Sequence, residues 1–329
     1  MLLLPLETQM AVYTDFDAEM LATSERAANK RVHFFKYVTV ATAEIVLQNQ
    51  TLRWSTPGHL NDPSDMQFDF RLEIDQAQAH RRALEQLWEV YSGNLFPGDT
   101  DLGRGTLLLR ATRPNISKVE FTALFDDALK DAIALAINGL PNLNAELKKA
   151  SQKCKVLCLT DRPNLATMWN HYADAHKGVV LRLRNIPAFD SPYMMARRVD
   201  YLNEFPQLGE QDDIVNWLSG MAPLDKAGIL NKLIFTKTAD WAYEREWRIS
   251  SGDGRNRTDE PEAIPFNKHE LDGLIFGKAC PEDTRRRLVE LAASFPNIEL
   301  YEARITGLGM EIHTIPLGCG LFQVGDTGP

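Results

Sequence analysis

Residues 241–249, WAYEREWRI, read as a β-strand, yet they set two glutamates and two arginines within five positions, beside two tryptophans and a tyrosine. Side chains on a strand alternate between faces. Tyr243, Arg245, Trp247 and Ile249 would then share one face, and Glu244, Glu246 and Arg248 the other. The first face suits a core, with the Arg245 stem lying over it. The second lines up two carboxylates and a guanidinium at intervals of about 7 Å. Such a row is either a solvated face or the wall of a cleft, and the rest of the chain has to decide which.

The chain has 329 residues, of which 44% are hydrophobic and 25% charged. That is an ordinary globular balance, with ample length for a buried core. Its net charge of −9 argues against broad nucleic-acid binding, since a phosphate backbone is held by Lys and Arg. Arg285, Arg286 and Arg287 form the one tight basic run and fall in a predicted helix, where they read as a solvated face. No apolar stretch approaches the 18 or so residues of a membrane span. The opening MLLLPLETQM lacks the basic start and apolar length of a signal peptide. The expectation is a cytoplasmic protein without membrane association. Cys154, Cys158, Cys280 and Cys319 have the spacing of neither a zinc site nor a disulfide framework, so free thiols are expected.

Residues 1–30 read as a polar helical lead-in. VHFFKYV (32–38), TLRWST (51–56), KVLCLT (155–160), VVLRLR (179–184) and DGLIFG (272–277) read as strands. Thr39 is positioned to cap a helix over 40–48, and Asn164 one through LATMWNHYADAH, closed by Gly178. Residues 75–93 read as helix, 93–105 as loop, and 117–153 as mainly helical. Phe121, Phe125, Ala128, Ala132 and Leu135 recur at helical spacing. Further helices are expected after Asp212-Asp213 and over 224–237. DGLIFG, a helix over 281–294 and IELYEARI (298–305) form a strand–helix–strand unit, followed by a loose tail. These elements predict an α+β fold in a single domain, residues 1–329. It would have a central mixed or antiparallel sheet flanked by helices, with residues 75–150 as a helical insertion.

No G-x-G-x-x-G follows a strand, and no P-loop, H-E-x-x-H or G-x-S-x-G occurs, which removes the commonest nucleotide, metal and hydrolase signatures. Three polar clusters remain. His33, Lys36 and Tyr37 lie on the first strand. Trp54, Ser55, Asn61, Asp62 and Asp65 end the second strand and fill its loop. Trp169, His171 and Tyr172 lie in MWNHYADAHKG, with Glu244, Glu246 and Arg248 further on. Singly, each has a structural explanation: a satisfied histidine, an Asx turn, helix packing, a local ion pair.

Taken together, Lys36-Tyr37, WSTPGHLNDP, MWNHYADAHKG and KTADWAYEREWR resemble the bacterial domain-of-unknown-function family 2971, over residues 32–305 without the helical insertion. The opening strand and the helix AEIVLQNQTLRWS are more distantly similar to ADP-ribosyltransferase-like folds. That resemblance implies NAD as substrate. His33 would hold the ribose and Tyr172 would stack near the nicotinamide. Glu246 would be the catalytic carboxylate, with Glu244 two residues before it. Tyr172 comes from a helix-like segment, where the fold would use a strand. Catalytic candidates are therefore Glu246, Glu244 and Tyr172. Candidates for holding NAD are His33, Tyr37, Ser55, Asn61, Asp62, Trp169, His171 and Arg248, the last either fixing Glu246 or gripping the diphosphate.

Three readings follow. One is NAD-dependent ADP-ribosyl transfer or NAD glycohydrolysis, with a small nucleotide substrate and a macromolecular acceptor unspecified by the sequence. Another is a non-catalytic ligand sensor in bacterial stress or phage defence. The third is a metal-dependent hydrolase or nuclease, with Asp62, Asp65, Glu244 and Glu246 as oxygen ligands.

Overall fold

The computed structural model describes residues 29–307 and 309–315. The expected lead-in helix and loose tail, with Cys319, lie almost wholly outside the described residues. In chain order the elements are β1 (His33–Val38), α1 (Val40–Asn49), β2 (Thr51–Trp54), α2 (Gln76–Ser92), α3 (Asp101–Thr112), α4 (Lys118–Ser151), β3 (Val156–Thr160) and α5 (Ala166–Tyr172). They continue with β4 (Val179–Arg184), β5 (Arg197–Arg198), β6 (Asp200–Leu202), α6 (Gln211–Leu218), α7 (Lys226–Phe235), β7 (Thr236–Thr238) and β8 (Glu246–Ser250). The last are β9 (Glu262–Pro265), β10 (Leu271–Phe276), α8 (Glu282–Ala292), β11 (Glu299–Thr306) and β12 (Gly309–Thr314).

The fold is α+β, built on a mixed eight-stranded sheet in the order β12-β11-β10-β4-β1-β3-β8-β5. β10 and β11 run parallel across α8, as the strand–helix–strand pattern requires, and the other pairs are antiparallel. On one face, Phe34, Leu157, Leu181 and Ile249 pack with Ala43 and Leu47 of α1 and Leu288 and Val289 of α8. On the other, Tyr37, Val180 and Ile275 pack with Met168 and Trp169 of α5. Every residue of β10 is buried, consistent with a strand covered on both faces.

The chain divides into two compact units. One comprises residues up to 65, 152–201 and from 235 onward, and holds the sheet. The other comprises 66–151 and 202–234. In this helical unit Ala83, Leu87 and Tyr91 of α2 pack on Phe121, Leu129 and Ile133 of α4 and Ile214 and Val215 of α6. Asn144 of α4 is buried and satisfies both backbone groups of Phe70, accepting from its N–H at 3.0 Å and donating to its carbonyl at 2.9 Å.

Several local expectations need correction. The loop over 93–105 gives way to helix at Asp101, because the Thr100 hydroxyl caps it by accepting from Gly103 N at 3.0 Å. Gly103 belongs inside this helix, since a Cβ there would lie 2.7 Å from the Gly98 carbonyl oxygen. The buried stripe of α4 runs through Phe121, Leu129 and Ile133, while Ala128 and Leu135 face outward. Asn164 does not cap α5. The Tyr37 hydroxyl accepts from Leu165 N at 3.0 Å instead, and the Asn164 amide donates to the Met310 carbonyl. The helix stops at Tyr172, and Asp174, Ala175 and His176 take positive φ angles. Gly178 lies beyond, where a Cβ would come within 2.3 Å of the Val38 carbonyl oxygen. Of the arginine run, Arg286 and Arg287 are exposed. Arg285 turns inward and donates to the carbonyls of Cys280 and Gly277.

The largest correction concerns the opening stretch. Residues 239–244 form a 3-10 turn, Arg245 has φ 50°, and the strand begins only at Glu246. One left-handed residue breaks the alternation, so Glu244 and Glu246 are not placed by strand spacing.

Candidate functional site

Five charged side chains meet beside β8. Asp65 arrives from the loop after β2. Asp62 organises that loop: its carboxylate accepts from Ser64 N at 2.9 Å and Ser64 Oγ at 2.7 Å, and its carbonyl accepts from Asp65 N at 3.1 Å. Lys237 comes from β7, Glu244 from the 3-10 turn, and Glu246 and Arg248 from one face of β8. Their side chains are between 0% and 6% exposed, so the charge row is neither solvated nor the wall of an open cleft.

Buried charge persists only when paired, and the pairing here is dense. Arg248 Nε and Nη2 donate to Glu246 Oε1 at 2.8 Å and Oε2 at 2.9 Å. Its Nη1 and Nη2 donate to Asp65 Oδ1 at 3.0 Å and Oδ2 at 2.9 Å. The guanidinium thus forks onto two carboxylates at once. The Lys237 ammonium reaches Glu244 at 2.7 Å, Glu246 at 3.4 Å and Asp65 at 3.5 Å, with the Trp241 ring 4.6 Å away. The Tyr201 hydroxyl on β6 accepts from Glu246 N at 2.8 Å.

The two glutamates differ electrostatically. Burial pushes the Glu246 carboxyl up, but Arg248 and Lys237 outweigh it and bring it down to about 2. Glu244 is raised: burial dominates, Lys237 opposes it, and neighbouring Glu246 adds to it. Burial also lowers the proton affinity of Lys237, yet Glu246, Asp65 and Glu244 reverse this and raise it. With all five ionised, three carboxylates face two cations, so the cluster carries one excess negative charge, and of the two glutamates Glu244 takes a proton more readily.

Glu244 also meets the aromatic residues. The Tyr172 hydroxyl donates to Glu244 Oε1, and the Asn61 side chain hydrogen-bonds the same hydroxyl. The His171 Nδ1 and Tyr243 hydroxyl are 3.0 Å apart, and the Trp241 and Tyr243 rings lie 6.1 Å apart at 34°. His171 is exposed, while Trp241, Tyr243 and Tyr172 are half-buried.

The structure therefore brings together Glu244, Glu246, Arg248, Tyr172, Asn61 and, through Tyr243, His171. Asp62 shapes the loop that delivers Asp65. Other candidates lie elsewhere. His33 pairs with Asp272 at 2.9 Å, and Asp272 also holds Arg182 Nε at 2.7 Å. Tyr37 is buried and its hydroxyl donates to the Arg162 carbonyl. Trp169 is fully buried, with its indole N–H on the Pro163 carbonyl. Ser55 forms a bridge to Val156. Arg248 is committed to Asp65 and Glu246, so it grips no external diphosphate in this arrangement. Among the described residues, no group of three His, Cys, Asp or Glu side chains is arranged to hold a metal ion, and here protein cations lie between the carboxylates. Lys237 is the member whose role the sequence left unassigned, and its signal is the lysine that opens KTADWAYEREWR.

No helix among the described residues is long and apolar enough to cross a membrane. No curated protein and no solved structure matches the chain. Residues 168–249, which supply four of the five clustered charges, match the model of the family described as "Protein of unknown function (DUF2971)".

Proposed function

We propose that the Glu244 end of the cluster is the reactive end of a site for NAD-dependent ADP-ribosyl transfer or NAD glycohydrolysis. The observation that carries this reading is the contrast between adjacent carboxylates. Glu246 is fixed in its ionised form with both oxygens on cations. Glu244 has raised proton affinity, is held by Tyr172 and Lys237, and lies next to half-buried aromatic rings. That contrast favours Glu244 over Glu246 as the group that meets a substrate, which reaches the buried carboxylate by displacing the half-buried Tyr172 from it.

In the reaction the bond between nicotinamide nitrogen and ribose C1′ breaks, and nicotinamide leaves with the electron pair. Positive charge develops on the ribose, which a nearby carboxylate stabilises. Water or an acceptor nucleophile forms the new bond at C1′, and its proton passes to Glu244. A carboxyl with raised pKa suits that proton transfer. Tyr172, Trp241 and Tyr243 offer flat surfaces for the nicotinamide ring. Glu246, Arg248 and Asp65 act one step back, by holding Lys237 and the loop.

The test is incubation of the full chain with NAD labelled on the adenylate side. Free labelled ADP-ribose or labelled macromolecule is expected, retained in excess chelator and abolished by Glu244→Gln with the fold intact by circular dichroism. Untouched NAD would overturn the proposal. A second reading, a sensor that binds without turnover, is favoured by the saturation of all three carboxylates. Tight NAD binding with no product over hours would select it.

A further inference from the structure

A concavity lies at the opposite end of β1 from Val38. It measures about 590 Å³ and is lined by Lys30, Arg31, His33, Phe35 and Trp247, with Asn29 at its edge. Asn29 fixes this wall: its amide donates to the carbonyls of Tyr193, Met194 and Ala196 at 2.8, 3.1 and 2.9 Å, and its Oδ1 accepts from Arg31 N at 3.0 Å.

Its charge is positive in a chain whose net charge is −9. The Arg31 guanidinium lies 5.4 Å from the Trp247 ring centre. Arg198 of β5 is the cross-strand partner of Trp247 and is exposed. Strand partners share a face, so Arg198 extends from the same face as the indole, beside the lining of the concavity. Lys30, which is exposed, adds a third cation. The nearest counter-charge, Asp161, is taken by Arg245, whose Nε and Nη2 donate to it at 2.7 and 3.1 Å, leaving Arg31 only a contact at 3.7 Å. The Arg31 Nε is buried and has no hydrogen-bond acceptor among the described residues. A buried N–H donor on a cation without an acceptor is costly, and an anionic ligand would supply one.

We infer that this concavity is a binding site for a phosphate-bearing nucleotide. Arg31, Arg198 and Lys30 take the phosphates, since guanidinium forks match phosphate oxygens. Trp247 and Phe35 line the space for the base. A volume of 590 Å³ falls within the range of small-molecule sites. The inference is independent of the chemistry assigned to Glu244.

Calorimetric titration of the full chain with ADP, adenosine and inorganic phosphate separately tests it. ADP is expected to bind at least tenfold more tightly than phosphate or adenosine alone, with affinity falling as salt rises. Arg198→Ala, an exposed position that leaves the core intact, should weaken ADP binding about tenfold, and Arg31→Gln should do likewise. Glu244→Gln should leave ADP affinity unchanged even though it abolishes NAD turnover. No ADP binding at millimolar concentration, or binding that Arg198→Ala and Arg31→Gln leave intact, would overturn the assignment. Equal binding of phosphate and ADP would reduce the site to an anion hole and overturn the nucleotide claim.

Discussion

Two ionic networks attached to one sheet make an instructive pair. Asp65, Lys237, Glu244, Glu246 and Arg248 are almost wholly shielded from water. His33, Arg182, Asp272, Tyr301 and Glu299 share a similar set of groups, but the Glu299 side chain is 59% exposed and that of His33 is 32% exposed. In the second network Asp272 is also buried, but solvent competes for Glu299 and His33 at its two ends, and an exposed pair contributes about 0–1 kcal/mol. In the first, removal of one partner leaves a buried charge uncompensated, at about 3–5 kcal/mol. Burial rather than the inventory of residues separates a network the fold depends on from one it tolerates.

The comparison is broken most directly at Arg248. Arg248→Met keeps the apolar stem and removes the fork that holds Asp65 and Glu246. A loss of about 3–5 kcal/mol in urea denaturation at pH 7 is expected. A loss under 1 kcal/mol would place the buried cluster energetically with the exposed one.

The next largest effect separates the two glutamates. The Glu246 carboxyl sits near 2 in the folded chain, below its ordinary value of 4.5. Its contribution is therefore present above pH 4.5 and lost as pH falls toward 2. Glu244 is raised, so its sign is reversed: its contribution is present below the ordinary carboxyl value and lost as pH rises through the folded value. Glu246→Gln removes a buried partner of Arg248 and Lys237 and should cost about 3 kcal/mol at pH 7. Glu244→Gln removes the excess negative charge and should change stability by less than about 1 kcal/mol. Equal losses in the two variants would remove the distinction on which the assignment of Glu244 rests.

The sequence made much of the sheet legible. β1, β4 and the unit of β10, α8 and β11 announce themselves by apolar, β-branched runs and by length. It failed at Arg245, because nothing local in AYEREW distinguishes one left-handed residue from continued strand. It failed at Asp101 because Gly103 and Gly105 read as loop, whereas Thr100 supplied the cap. In the site, Tyr172, Glu244, Glu246 and Arg248 were recognised by motif. His33 was grouped with them by analogy, but a partner 239 residues away, Asp272, holds it. Lys237 was hidden because the turn after β7 folds it back onto residues seven and nine positions later, a geometry that strand reasoning does not generate.

The smallest predicted effect sharpens the other half of the comparison. Glu299 holds Arg182 Nη2 at 2.8 Å and accepts from the Tyr301 hydroxyl, yet it stands largely in water. Its carboxyl is lowered by the hydrogen bond from Tyr301 first and Arg182 second. Glu299→Gln retains an acceptor for both donors and removes a charge that solvent already screens. A change within about 0.5 kcal/mol is expected, shrinking further in 0.5 M salt. His33 would keep Asp272, and Arg182 would keep both Asp272 and the cation–π contact 4.8 Å from the Tyr301 ring. A loss of 2 kcal/mol or more, insensitive to salt, would mean that the exposed network is organised as tightly as the buried one, and solvent exposure would no longer explain the difference between them.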